Sequence, residues 1–248
     1  MPRKYLIETF GCQMNVHDSE RLAGLLDQAG YEKTELPSDA DLVVINTCSV
    51  RERAEDRLYT ELGMVNVNQS GHRPIVAVTG CVAQQEGQAL LERGQRVDLV
   101  VGTQALSRLP TMLEGLDRTG PERVDINPYD NVSFPLGVAR RSDSVKAAVT
   151  IIEGCNDFCS FCVVPYTRGE EVSRPFESVM EEVVHLAEQG VREINLLGQN
   201  VNAYRGLDES GDEIDLAELI ACVAAVDGVD RIRFTTSHPV EFTDSLIE

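Results

Sequence analysis

Asp41-Leu42-Val43-Val44-Ile45-Asn46-Thr47-Cys48 is the stretch from which the fold can be read. Its apolar residues are consecutive rather than alternating, so both faces of the strand need cover, as in a parallel sheet layered between helices. After Cys48, positions 50 to about 65 can form a helix with Ala54, Leu58 and Leu62 on one face. The same unit stands before it. Tyr5 to Phe10 is a short apolar run, Gly11-Cys12 follows, and Ser19 to Ala29 keeps Leu22, Leu25 and Leu26 at helical spacing until Gly30. It also recurs afterwards, as the strand Pro74 to Thr79, the turn Gly80-Cys81 and the helix Val82 to Arg93, ended by Gly94. A fourth unit, Val97 to Val101 with Gly102-Thr103, carries no cysteine. Strands alternating with helices at this length predict parallel pairing with right-handed crossovers, so every strand ends on one edge. Cys12, Cys48 and Cys81 each stand just past a strand, and that edge is where open α/β sheets bind ligands. Three sulfurs gathered there can hold a metal cluster. The plain alternative is that a small, apolar Cys suits a tight turn, as Thr103 does in the fourth unit.

From residue 117 to 144 the periodicity fades into Gly120-Pro121, Asn127-Pro128, Pro135 and Gly137, which reads as a linker with a short extended piece at Arg123 to Ile126. Val145 to Ile152 is then a buried strand running into Gly154-Cys155-Asn156-Asp157-Phe158-Cys159-Ser160-Phe161-Cys162, a C-x3-C-x2-C pattern. Three thiolates can hold three corners of a cubane iron–sulfur cluster and leave the fourth iron open to a ligand. A closed zinc site wants a fourth Cys or His, which Asn156, Asp157 and Ser160 do not supply, and a disulfide leaves one cysteine over. Beyond the loop, Phe176 to Gln189 is a helix with Val179, Val183, Val184 and Leu186 inward, and Glu193 to Leu197 is a strand. Leu216 to Val226 is a further helix, and Arg231 to Thr235 a third strand before Ser237-His238-Pro239. Strand, helix, strand, helix, strand is the opening half of a barrel whose site lies at the carboxyl ends of its strands. Thr243 to Leu246 begins another helix, so the second domain is expected to be incomplete at its C-terminus. The predicted organisation is an α/β domain over 1–116, a linker over 117–144, and a partial barrel over 145–248.

The chain has 248 residues, 42% of them hydrophobic, enough for a real core in each of two domains. It contains no run of eighteen apolar residues, and Glu8 falls where a signal peptide needs its apolar centre. Seven cysteines without an export signal indicate a reducing, cytoplasmic setting. The net charge of −19 on its own repels nucleic acid.

C-x3-C-x-aromatic-C, with Phe161 as the aromatic, is similar to the signature of the radical S-adenosylmethionine (SAM) enzymes. Thr9-Phe10-Gly11-Cys12-Gln13-Met14-Asn15, Asn46-Thr47-Cys48-Ser49-Val50-Arg51-Glu52, Thr79-Gly80-Cys81 and the run Gly154 to Gly169 together resemble the methylthiotransferases within that family. The resemblance covers nearly the whole chain. It implies an N-terminal parallel-sheet α/β domain followed by the first half of a radical-SAM partial (β/α) barrel. It implies a 4Fe-4S cluster on Cys155, Cys159 and Cys162 that cleaves SAM to a deoxyadenosyl radical, and an auxiliary 4Fe-4S cluster on Cys12, Cys48 and Cys81 that supplies sulfur. The wording is most similar to the branch that methylthiolates C2 of N6-isopentenyladenosine beside the tRNA anticodon. The alternative branch modifies an aspartate of a ribosomal protein. The implied partners are tRNA carrying N6-isopentenyladenosine and an electron donor such as flavodoxin or ferredoxin. Members usually end in a small RNA-binding β-barrel, which this sequence does not include.

Further residues are candidates for SAM. Arg168, Glu171 and Arg174 lie in the Arg-Gly-x-Glu-x-Ser-Arg pattern, here with Glu170 beside Glu171, and a zwitterionic ligand needs both charges near it. Gln199 and Asn200 follow the second barrel strand, where amides can bond ribose or methionine groups. Phe161 completes the set. Tyr166 or Phe158 could stack a base, but a core place is the expectation for either. Cys222 is expected in the core, and His238 alone among the histidines sits at a strand end. A non-enzymatic cluster or sulfur carrier would share the thiolates but would not require Arg168, Arg174, Gln199 or Asn200.

Overall fold

The computed structural model describes residues 2–50, 52–65, 68, 71–93, 96–116, 122–127, 134, 139–141 and 143–247. Much of the expected 117–144 linker thus lies outside the described residues. The chain divides into two compact units, Met1–Asn131 with Val138–Arg140, and Val132–Gly137 with Arg141–Glu248. No helix among the described residues is long and apolar enough to cross a membrane.

In the first unit the order is β1 (Lys4–Phe10), α1 (Gln13–Gln28), β2 (Glu32–Lys33), β3 (Leu42–Thr47), α2 (Glu52–Met64) and β4 (Ile75–Thr79). α3 (Cys81–Glu86), α4 (Ala89–Glu92), β5 (Leu99–Val101), α5 (Leu109–Glu114) and β6 (Val124–Asp125) complete it. The six strands form one sheet in the order β2-β1-β3-β4-β5-β6, every pairing parallel. All six residues of β3 are buried, as the unbroken apolar run requires for a strand covered on both faces. Side chains alternate across it: Leu42 and Val44 join Leu22 and Leu26 of α1 in one core layer, while Val43 and Ile45 join Leu58 and Leu62 of α2 in the other. Burying each such side chain stabilises the fold by roughly 1.5–3 kcal/mol. The extended piece expected inside the linker is β6, the edge strand of this sheet.

In the second unit β7 (Lys146–Thr150), β8 (Ile152–Glu153), α6 (Val164–Arg168), β9 (Val172–Ser173), α7 (Phe176–Glu188) and β10 (Glu193–Leu197) follow one another. β11 (Arg205–Leu207), β12 (Glu213–Asp215), α8 (Leu216–Ala224), β13 (Arg231–Phe234) and α9 (Asp244–Ile247) come next. β7, β10 and β13 form a parallel sheet in the order β13-β10-β7, the arrangement an opening half-barrel requires. α8 begins where Asp215 Oδ1 accepts from the Glu218 backbone N–H at 2.9 Å and Glu218 Oε2 accepts from that of Asp215 at 3.0 Å, a capping box. Val179, Val183 and Leu186 of α7 are buried as expected, but Val184 is exposed, because the inward stripe at 179, 183 and 186 leaves it on the flank. Cys222 is half-buried rather than fully in the core.

Candidate functional site

Cys12 stands between β1 and α1 in an extended conformation, φ −92° and ψ −179°, which ends the strand and starts the helix six residues earlier than the apolar spacing alone indicates. Asn15 fixes that corner: its Oδ1 accepts from the Cys12 backbone N–H at 3.2 Å and from the Cys12 thiol at 3.3 Å. Asn46, fully buried near the end of β3, holds Asn15 in turn. Its Nδ2 donates to the Asn15 carbonyl and to Ser19 Oγ, both at 2.9 Å, and its Oδ1 accepts from Asn15 Nδ2 at 3.0 Å. Two buried amides thus tie α1 to β3 beneath the cysteines. Asn46→Ala is expected to lower stability by about 2 kcal/mol, read as a shifted urea midpoint, since buried partners lose their bonds. A change under about 0.5 kcal/mol, the scale of an ordinary surface substitution, would show that the amide pair does not hold this corner.

Cys48 follows β3 directly and Cys81 opens α3 after β4, so the parallel register delivers both to the same sheet edge as Cys12. The Cys48 thiol hydrogen-bonds the thiols of both Cys12 and Cys81, and these contacts, followed by burial, raise its pKa. Its sulfur also accepts from the Val50 N–H at 3.4 Å. All seven cysteines of the chain carry free thiols. The first triplet is therefore one contiguous patch of soft donors, the chemistry an iron–sulfur cluster takes. Among the described residues no three His, Cys, Asp or Glu side chains are arranged to hold one metal ion. The hydroxyls of Thr47, Ser49 and Thr79, beside these cysteines, are shielded from solvent and have no hydrogen-bond partner among the described residues. Orphaned donors around a sulfur patch fit a group whose own sulfurs accept hydrogen bonds.

The second triplet sits in the loop between β8 and α6. The base of that loop is closed by the antiparallel β8–β9 pairing and by the Cys155 N–H, which donates to the Gly169 carbonyl at 3.2 Å. Gly154 has φ +82°, and a Cβ there would overlap the Glu170 carbonyl oxygen, so only glycine fits where the chain turns back on itself. Glu153 and Arg168, at the two ends of the loop, are both buried and form an ion pair at 3.2 Å. Phe158 takes φ +45°, inside the cysteine run, and Cys162 N–H donates to the Cys159 carbonyl at 2.9 Å. Burial raises the Cys155 pKa, and its thiol lies 3.5 Å from Asp157 Oδ2.

The candidate SAM residues fall into different settings. Gln199 Oε1 accepts from the Gly154 N–H at 2.6 Å, and Asn200 Nδ2 donates to Asp157 Oδ2 at 3.0 Å, so the end of β10 holds the cysteine loop directly. Asn200 Oδ1 also accepts from the His238 N–H at 3.1 Å, which joins the strand end after β13 to the same network. Arg174 is buried, donating to the carbonyls of Thr150 and Ser178, to Ser178 Oγ, and to Glu182, with Phe134 against its guanidinium. Glu171 is a half-buried carboxyl whose pKa is raised by burial and by Asp157 and Glu241. Phe161 is 95% exposed. Phe158 and Tyr166 are exposed too and meet edge to face at 6.1 Å, where the sequence led us to expect core positions; Phe158 stands in the cysteine loop and Tyr166 on the short helix α6, and both rings face solvent. Sequence reasoning singled out neither Glu153 nor the Asn15–Asn46 pair, because a buried ion pair and a buried amide pair become visible only when distant segments meet.

Residues 149–248 match the Radical SAM superfamily, and residues 4–102 match a family described as Uncharacterized protein family UPF0004. Residues 149–248 carry a radical SAM domain. Cys155, Cys159 and Cys162 all lie in the radical SAM match, and Cys12, Cys48 and Cys81 in the other. Over 258 aligned residues the chain is 55% identical to the tRNA-2-methylthio-N(6)-dimethylallyladenosine synthase of Chromohalobacter salexigens, covering 100% of this chain and 56% of that protein. The synthase of the same name from Cellvibrio japonicus is 55% identical over 248 residues, covering 99% of this chain and 54% of that protein. The chain thus spans about half the length of the curated relatives it matches. Among solved structures, the radical S-adenosylmethionine methyltransferase TsrM from Kitasatospora setae, with cobalamin and a [4Fe-4S] cluster bound, is similar in fold. The TM-score is 0.52 at 17% identity, covering 82% of this chain and 50% of that one.

Proposed function

We propose that this radical SAM chain methylthiolates tRNA at C2 of N6-isopentenyladenosine beside the anticodon, working in the cytoplasm with flavodoxin or ferredoxin as electron donor. The observation that carries the reading is a pair of thiol triplets at strand ends of two compact units, in a chain 55% identical throughout to synthases of that name. In this reading Cys155, Cys159 and Cys162 hold one 4Fe-4S cluster and Cys12, Cys48 and Cys81 a second. When bound, the first supplies the electron for reductive cleavage of SAM and the second the sulfur. An aromatic C–H is too strong and too weakly acidic for base or nucleophile chemistry, which is why radical and sulfur sources are both needed.

The chain's own residues arrange the reaction. Gln199 and Asn200 hold the cysteine loop in place by their bonds to Gly154 and Asp157, and with Phe161 and Glu171 they line the SAM site. Arg168 and Arg174, whose donors are engaged inside the unit, set the shape of the wall that SAM meets. Relatives named for tRNA support this branch over the one that modifies a ribosomal-protein aspartate. The test is to incubate the reconstituted protein with tRNA bearing N6-isopentenyladenosine, SAM and reduced flavodoxin, then digest the tRNA and analyse its nucleosides by mass spectrometry. A methylthio group on isopentenyladenosine is expected. Unmodified tRNA from protein shown to hold both clusters and to cleave SAM would contradict the proposal.

A further inference from the structure

Thr47 is the last residue of β3 and Thr79 the last of β4; each is 0% exposed, and neither hydroxyl has a hydrogen-bond partner among the described residues. Ser49, on the other side of Cys48, is partly exposed as a residue, but its Oγ is shielded from solvent and also has no hydrogen-bond partner among the described residues. Four polar side chains nearby are paired instead. Thr9 and Ser19 bond each other at 2.8 Å, and Asn15 and Asn46 are bonded on both ends of their amides. Leaving a hydroxyl buried without a partner costs on the order of 1–3 kcal/mol. Three such groups are a large burden for a domain of marginal stability, and all three lie within two residues of Cys48 or Cys81. The burden disappears if an acceptor sits among the thiols. Thiolate and sulfide sulfurs of an iron–sulfur cluster carry negative charge and accept hydrogen bonds, and such bonds favour the more negative, reduced form.

We propose that the hydroxyls of Thr47, Ser49 and Thr79 donate hydrogen bonds to the cluster held by Cys12, Cys48 and Cys81 and raise its reduction potential. This rests on the assignment of that triplet to a cluster, made above. It makes the three hydroxyls positioning and tuning groups rather than catalytic ones, and it couples the fold of the strand ends to the redox state of the sulfur source.

The experiment uses the full chain with Cys155, Cys159 and Cys162 replaced by Ala, so that one cluster alone is observed, and follows an electron paramagnetic resonance titration of its midpoint potential. Thr47→Val, Thr79→Val and Ser49→Ala should each shift the midpoint to more negative values at unchanged iron content, and the combination further. Thr47→Ser and Thr79→Ser keep a hydroxyl and should restore the parent potential. Loaded Val variants with an unshifted midpoint would overturn the proposal. Should a Val variant fail to load iron, hyperfine spectroscopy after transfer to D2O decides on the parent and the Ser variants. Strongly coupled exchangeable deuterons are expected on the reduced cluster in both, and their absence overturns the proposal. A parent chain that binds no iron at Cys12, Cys48 and Cys81 defeats the cluster assignment itself, a result distinct from an unshifted potential.

Discussion

Replacing Cys155, Cys159 and Cys162 together with Ala will reduce SAM cleavage to background while leaving the protein folded. Methyl groups bind no iron, so the loss is complete rather than partial. The fold survives because the loop is held by other groups: the β8–β9 ladder, the Cys155 backbone bond to Gly169, and Gln199 on the Gly154 N–H. Cys159 is exposed and the other two are half-buried, so their removal should change stability by no more than about 1 kcal/mol. The check is chromatographic measurement of 5′-deoxyadenosine with dithionite as reductant, alongside the thermal midpoint. Deoxyadenosine formed at the parent rate would remove this triplet from the reaction.

The second large effect is on stability. Arg168→Met leaves the Glu153 carboxylate buried opposite an apolar side chain, and breaking a buried pair from one side costs about 3–5 kcal/mol. The urea midpoint of the second unit should fall accordingly. Glu153→Gln added to Arg168→Met removes the buried charge, so the double variant should recover a substantial part of the loss. A single variant within about 1 kcal/mol of the parent would mean that the pair at 3.2 Å does not clamp the loop.

The strands were legible wherever burial on both faces forces an unbroken apolar run. Leu42–Thr47 and Glu193–Leu197 fall within a residue of the expected bounds, and the parallel pairing follows from their alternation with helices. From that pairing alone Cys12, Cys48 and Cys81 could be assigned to one edge, and the contact of the Cys48 thiol with both neighbours is the physical result. What the pattern hid depends on tertiary contact. The helix expected from Val82 to Arg93 is two helices, because Gly87 takes φ +51° where a Cβ would come within 2.8 Å of Ile126 Cδ1. β6 is two residues long and earns its place by pairing with β5 rather than by any periodicity. Gln199 and Asn200 were legible as amides at a strand end, but that they bond Gly154 and Asp157 some forty residues away was not. The orphaned hydroxyls of Thr47 and Thr79 read in sequence as ordinary β-branched strand residues; only burial without a partner sets them apart.

In the proposed function the two thiol triplets hold two separate clusters. The decisive measurement is iron and sulfide content, with paramagnetic resonance spectra recorded with and without SAM, on three versions of the 248-residue chain: the parent, one lacking Cys12, Cys48 and Cys81, and one lacking Cys155, Cys159 and Cys162. Two four-iron clusters are expected in the parent and one in each variant, with SAM perturbing only the spectrum that depends on Cys155, Cys159 and Cys162. A parent that holds a single cluster, unchanged when Cys12, Cys48 and Cys81 are all replaced by Ala, would contradict it.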